Sequence, residues 1–194
     1  LDQKLIGYIL VRDMPRTEAK ESIVKLKNIG VKRIAMFTGD VKNIADNVGL
    51  EMGITEIISE MKPETKVAEL EKLLGPDSTL AMVGDGINDA PALARADVGI
   101  GMGGAGTAVT IEAADVIILT DKLNLLPEII LLGRKTMSVI RGDMVIWVLS
   151  NVFGFALVFL GFLGPALAAF YNFATDFLPL INSARLFRDR HGSS

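Results

Sequence analysis

From Met144 to Thr175 the chain carries no charged side chain, a run of 32 residues. About 20 apolar residues suffice to cross a bilayer once as a helix. The run is interrupted at Leu163–Gly164–Pro165, a turn signal. The sequence therefore predicts two spans, Met144–Phe162 and Ala166–Phe187, joined by a very tight turn. Arg134, Lys135 and Arg141 precede the first span, and Arg188 and Arg190 follow the second. Cationic flanks mark the cytoplasmic side, so both ends of the hairpin are expected in the cytosol. The competing reading is a buried helical hairpin in a soluble core, for which a chain of 194 residues offers little covering structure.

Residues 1–123 have a different texture. Leu5–Val11 is strand-like, and Thr17–Ile29 carries Ile23, Leu26 and Ile29 at helical spacing before Gly30. Arg33–Phe37 is apolar and runs into Thr38–Gly39–Asp40. Lys42–Met52 and Pro63–Leu74 read as helices, closed by Gly53 and by Gly75–Pro76–Asp77. Thr79–Val83, Val98–Ile100 and Val116–Leu119 are short β-rich runs, with a helix expected after each of the first two. Repeated β-then-α order predicts a parallel, Rossmann-like sheet covered by helices. The chain thus divides into a cytosolic α/β part (1–123), a connecting helix (124–143) and a membrane part with a short tail (144–194).

Composition removes several alternatives. There is no cysteine, so disulfides and thiolate ligands are excluded. His191 stands alone in a polar tail, and no zinc-type spacing or Walker-type phosphate loop is present. A net charge of −3 gives no argument for nucleic acid as a partner. The opening residues, Leu1 onward, lack the basic start of a signal peptide and read as a strand entered partway through a longer protein.

The chemistry-bearing residues gather where expected strands end, which is where parallel sheets collect ligands. In Gly84-Asp85-Gly86-Ile87-Asn88-Asp89 the glycines allow a sharp turn, and the hard oxygens of Asp85 and Asp89 suit Mg²⁺. Thr38, with Gly39 and Asp40, supplies a hydroxyl and backbone N–H groups that can meet a phosphoryl oxygen. Lys66, in Lys-Pro-Glu-Thr-Lys, can bring an ammonium to the same group. Each motif alone reads more readily as an ordinary turn or a solvated lysine. Their order, hydroxyl then lysine then carboxylates, points to phosphoryl chemistry stabilised by a cation and fixed donors.

"TGD" (38–40), "KPETK" (62–66) and "VGDGINDAPALARADVGIGMG" (83–103) resemble the phosphorylation domain of P-type ATPases, within the haloacid-dehalogenase-like superfamily. "RDMPR" (12–16) matches the segment leading into that domain. "GGAGTAVTIEAADVIIL" (103–119) and "LINSARLFR" (180–188) look most like the branch that moves transition metals. The resemblance implies that Asp85 binds Mg²⁺ with Asn88 and Asp89 completing its surroundings. Thr38, Gly39 and Asp40 would hold the phosphoryl group and Lys66 would neutralise it. It also implies an ATP-driven pump working through an aspartyl phosphate, with the helix after Leu119 linking that site to the spans.

The family's nucleophile lies in "DKTGT", and no such motif occurs here. Asp13, Asp40 and Asp77 lack its surroundings. The resemblance places the missing motif on a central strand, between those ending in "TGD" and "GDG". The expectation is a chain poorly stable by itself, corresponding to the C-terminal part of such a pump and needing its N-terminal part, ATP-binding domain included. Asn151, Asn172 and Asp176 are candidates for contacting the transported cation, because their oxygens can coordinate one and an ionisable group within a span, here Asp176, usually faces an interior path or partner. Relatives that move zinc or cadmium tend to carry Lys in the first span and Asp near 172, whereas copper branches carry Asn, then Met and Ser. This chain matches neither set fully, and its oxygen ligands lean toward a divalent ion. Helix–helix hydrogen bonding is the alternative role. Two other readings stay open: a non-enzymatic half of a split or truncated pump, and a membrane-tethered phosphatase of the same superfamily.

Overall fold

The computed structural model describes residues 17–76, 78–84, 87–103 and 108–188. The expected strand Leu5–Val11 and the motif "RDMPR" lie outside the described residues, as do Asp13, Asp77, Asp85, Gly86 and Arg190. The chain divides into two compact units, Leu1–Pro127 and Glu128–Ser194.

In the first unit, helix α1 (Thr17–Asn28) leads to strand β1 (Ala35–Phe37), helix α2 (Lys42–Met52) and strand β2 (Glu56–Ile58). Helix α3 (Lys66–Leu73) follows a 3₁₀ turn at Pro63–Thr65. Strand β3 (Ala81–Gly84), a 3₁₀ turn at Ile87–Asp89, helix α4 (Ala90–Arg95), strand β4 (Val98–Met102), helix α5 (Ala108–Ala113) and strand β5 (Val116–Ile118) complete it. All pairings among these strands are parallel, as the alternating order requires. β1 pairs with β2 in the register Met36 opposite Ile57, and β3–β4–β5 form a second sheet with Met82 opposite Gly99 and Gly101 opposite Ile117. Among the described residues, the "TGD" strand and the "GDG" strand therefore belong to separate ladders.

Helices close over these strands through small and branched apolar side chains. Leu70 of α3, Ala92 and Leu93 of α4, and Ile100 of β4 are almost wholly buried, with Ile23 and Leu26 of α1 beside Ala45 of α2 as further core positions. Strand β2 escaped the sequence reading. It has only three residues, too few to show an apolar alternation, and it forms by pairing with β1; Arg33 and Glu56 meet at 2.6 Å on its exposed side.

The second unit departs from the expected layout in two ways. The connecting helix and the first span are one element, α6 (Leu125–Phe159, 35 residues), with no interruption at 143–144. Gly142 stands at that junction, but a lone glycine inside a helical pattern costs only about 1 kcal/mol and keeps its N–H in the ladder, so the helix runs on. The expected tight turn occupies residues 160–164, with Gly161 at φ 79° and Pro165 opening helix α7 (Pro165–Thr175). The second expected span is not a single helix: it is α7, then α8 (Phe177–Ser183), then α9 (Arg185–Arg188). Pro179 accounts for the first break, because it offers no N–H to the carbonyl four residues earlier and crowds it.

Candidate active site

At the carboxyl end of β1 the chain turns through Thr38–Gly39–Asp40. The Thr38 N–H donates to the Ile58 carbonyl at 3.0 Å, extending the pairing with β2 by one residue. Beyond it, the Thr38 hydroxyl donates to Asp40 Oδ2 at 2.8 Å and accepts from the Asp40 N–H at 3.1 Å. The turn is self-contained, and Gly39 and Asp40 are exposed. Two backbone bonds then tie it to the next loop: Glu60 N–H to Asp40 O at 2.9 Å and Met61 N–H to Thr38 O at 3.1 Å. Glu60 takes φ 55°, a left-handed conformation uncommon for a residue with a Cβ.

That loop delivers Lys66. Pro63 fixes the first turn and Lys66 begins α3. Its ammonium lies 2.6 Å from Asp89 Oδ1, and both side chains are largely shielded, at 17% and 12% exposure. Asp89 ends the 3₁₀ turn after β3 and leads into α4. Gly84, the last residue of β3, makes room for it: a Cβ there would come 2.6 Å from the Asp89 Cβ and 2.9 Å from its Oδ2. Asn88 is exposed beside it.

Of the residues singled out in sequence, Lys66 and Asp89 are brought together. Thr38, Gly39 and Asp40 form a turn of their own, held to the Lys66 loop through backbone bonds. Asp85 lies outside the described residues. The direct contact between Lys66 and Asp89 was not foreseen. Local sequence carries no signal for it, since the two residues are 23 positions apart and meet only when α3 packs on α4.

In the second unit, Asn151 donates its amide to its own helix, to Trp147 O at 2.8 Å. Asn172 and Asp176 are both exposed, one helical turn apart on a common face. Sequence reasoning missed Asp143, whose carboxylate accepts from Asn182 Nδ2 at 2.8 Å and from Ser183 Oγ at 2.6 Å. A charged residue at the border of an uncharged run was the available signal.

This parallel α/β unit, with a shielded lysine–carboxylate pair beside a strand end, has a recognisable class. A family model for haloacid dehalogenase-like hydrolase matches residues 1–97, and the chain belongs to that family. Within it, the chain is homologous to heavy-metal P-type ATPases, over their C-terminal part. It is 38% identical over 187 residues to a probable cadmium-transporting ATPase of Staphylococcus aureus, covering 96% of this chain and 23% of that protein. It is 43% identical over 190 residues to a manganese-exporting P-type ATPase of Mycobacterium leprae, covering 98% of this chain and 26% of that protein. Among solved structures it resembles a zinc-transporting PIB-type ATPase in the E2.Pi state, with a TM-score of 0.82 and 36% identity over 90% of this chain and 28% of that one. The chain spans about a quarter of the length of the relatives it matches.

Proposed function

We propose that this chain works as the C-terminal part of an ATP-driven pump that moves a divalent heavy-metal cation across a membrane through an aspartyl phosphate. The observation that carries the proposal is the shielded Lys66–Asp89 pair next to the end of β3. It stands in a chain whose likeness to cadmium-, manganese- and zinc-transporting ATPases extends over nearly all of its length. In this reading Thr38 and Gly39, with Asp40 bracing the turn, hold the phosphoryl group, and Lys66 balances its charge. Asp85 and Asp89 hold Mg²⁺, with Asn88 at its side.

The residues described fit such an ion. Lys66 engages Oδ1 of Asp89, which leaves Oδ2, packed against Gly84, as a hard and shielded oxygen. When bound, Mg²⁺ would offset negative charge on the phosphoryl oxygens. The chain's own contribution is to preorganise donors around that group, which costs no rearrangement during reaction.

In this reading the chain depends on the N-terminal part of the pump, and the strand pairing supports it. β1 pairs with β2, and β3 with β4, as two ladders among the described residues. A strand carrying the nucleophilic aspartate, placed between β1 and β3, would join them into one sheet and satisfy their remaining edges. The non-enzymatic half of a split pump is therefore the reading for this chain taken by itself. In the same proposal α6 and α7–α8 form a transmembrane hairpin with cytosolic ends, α6 being long and apolar enough to cross. Asn151, Asn172 and Asp176 contact the cation, and the missing helices cover their exposed faces.

The test is phosphorylation. The chain alone, incubated with Mg²⁺ and γ-labelled ATP and quenched in acid, should carry no hydroxylamine-labile phosphate. Adding the upstream part of a matched relative should produce it, dependent on Lys66. An acyl phosphate formed on this chain alone would overturn the assignment of the nucleophile to a missing strand.

A further inference from the structure

The break in the second apolar segment sits between two separate tethers to α6. On one side, the Tyr171 hydroxyl of α7 donates to Ser150 O at 2.9 Å. Its ring lies so close to Gly154 that a Cβ there would approach Cε1 to 2.6 Å. On the other side, Asn182 and Ser183 at the end of α8 occupy both oxygens of the single Asp143 carboxylate. These contacts pair rising positions on α6 with falling positions on α7–α8, so the segment folds back along α6.

Between the tethers the helical ladder lapses. Asp176 N–H still donates to Asn172 O at 3.1 Å, but α7 ends at Thr175. Pro179 leaves the Thr175 carbonyl without its donor four residues on. The Thr175 hydroxyl bonds back to Tyr171 O at 3.0 Å and Asn172 O at 3.1 Å, a pattern that bends helices.

We propose that Asp176 is a hinge and Asp143 its latch. With the latch closed, α8 is fixed to α6. When it opens, α8 swings about the Thr175–Asp176 joint while Tyr171 keeps α7 seated on Gly154. Asp176 is then re-aimed relative to Asn172, which stays with α7. Asp143, Asn182, Ser183 and Pro179 are positioning residues in this scheme. Its role in altering the cation's surroundings rests on the pump reading, but the joint itself does not.

The chain has no cysteine, so two spin labels can be placed without background. Leu132, Leu167 and Leu180 are exposed and suit Cys substitution. The pair at 132 and 180 reports α8, and the pair at 132 and 167 reports α7. In the full chain in lipid nanodiscs, Asp143→Ala should shift and broaden the 132/180 distance distribution by several ångströms and leave 132/167 unchanged. Ser183→Ala, a smaller lesion, should broaden 132/180 less. Adding Pro179→Ala to Asp143→Ala restores a continuous helix and should narrow 132/180 again. The hinge is overturned if Asp143→Ala leaves both pairs unchanged, moves both together, or gives a 132/180 broadening that Pro179→Ala does not reverse. The measurement uses no ATP, metal or upstream domain, so a failure of the pump reading would leave its outcome intact.

Discussion

Lys66 Nζ and Asp89 Oδ1 stand 2.6 Å apart, with both side chains largely withdrawn from water. Neither charge can be removed singly without stranding the other. Breaking a buried pair by deleting one partner typically costs about 3–5 kcal/mol. Lys66→Ala and Asp89→Ala should each sharply reduce amide protection in β3 and β4, measured by hydrogen exchange on the full chain. Replacing both by apolar residues of similar volume should recover much of it while abolishing any phosphorylation of the assembled pump.

Gly84→Ala tests how closely β3 abuts that pair. The new Cβ would meet Asp89 at distances that real side chains do not tolerate. Overpacking of this kind costs about 1–3 kcal/mol. The expected outcome is a lower denaturation midpoint for the first unit, with Mg²⁺-dependent phosphorylation of the assembled pump falling further than stability alone explains.

Tyr171→Phe removes the bond to Ser150 O but keeps the ring on Gly154. Interhelical bonds in apolar surroundings average about 0.6 kcal/mol, so thermal stability in detergent should drop only slightly. Gly154→Leu, which drives a side chain into the ring, should destabilise far more. Equal effects from the two substitutions would show that the hydroxyl, not close approach, holds α7.

Arg33 and Glu56 make an open contrast. The hydrogen bond that Arg33 donates to Glu56, then the negative charge of that carboxylate, raises the Arg33 guanidinium above its already high ordinary range. A raised folded-state value gives a contribution present at all pH below the unfolded value and lost as pH rises through the folded one. That window lies at strongly alkaline pH, so between pH 5 and 9 the arginine contributes no pH dependence. Because the pair is solvent-exposed, Glu56→Gln should leave the urea midpoint of the first unit nearly unchanged.

The order of strands and helices was legible because apolar periodicity and glycine stops are local properties. β1, α2, β3, α4, β4 and β5 lie within a few residues of where the sequence puts them. What was illegible depends on tertiary partners. β2 exists because β1 is beside it, and Lys66 finds Asp89 only through the packing of α3 on α4. The break at Asp176 had a visible cause in Pro179. Its apolar surroundings masked it, since proline is tolerated in spans when neighbours satisfy the freed carbonyl. The placement of Thr38 after β1, of Lys66 at the start of α3 and of Asp89 after β3 was readable because strand ends and helix starts carry local glycine and proline signals.

α6 runs 35 residues without interruption. At about 1.5 Å per residue it is roughly 52 Å long, some 20 Å more than the ~30 Å hydrocarbon thickness of a bilayer. It is in effect a lever arm. A tilt of about 10° pivoted at one end displaces the other by about 9 Å, several times the reach of the hydrogen bonds that Asp143 makes along its length.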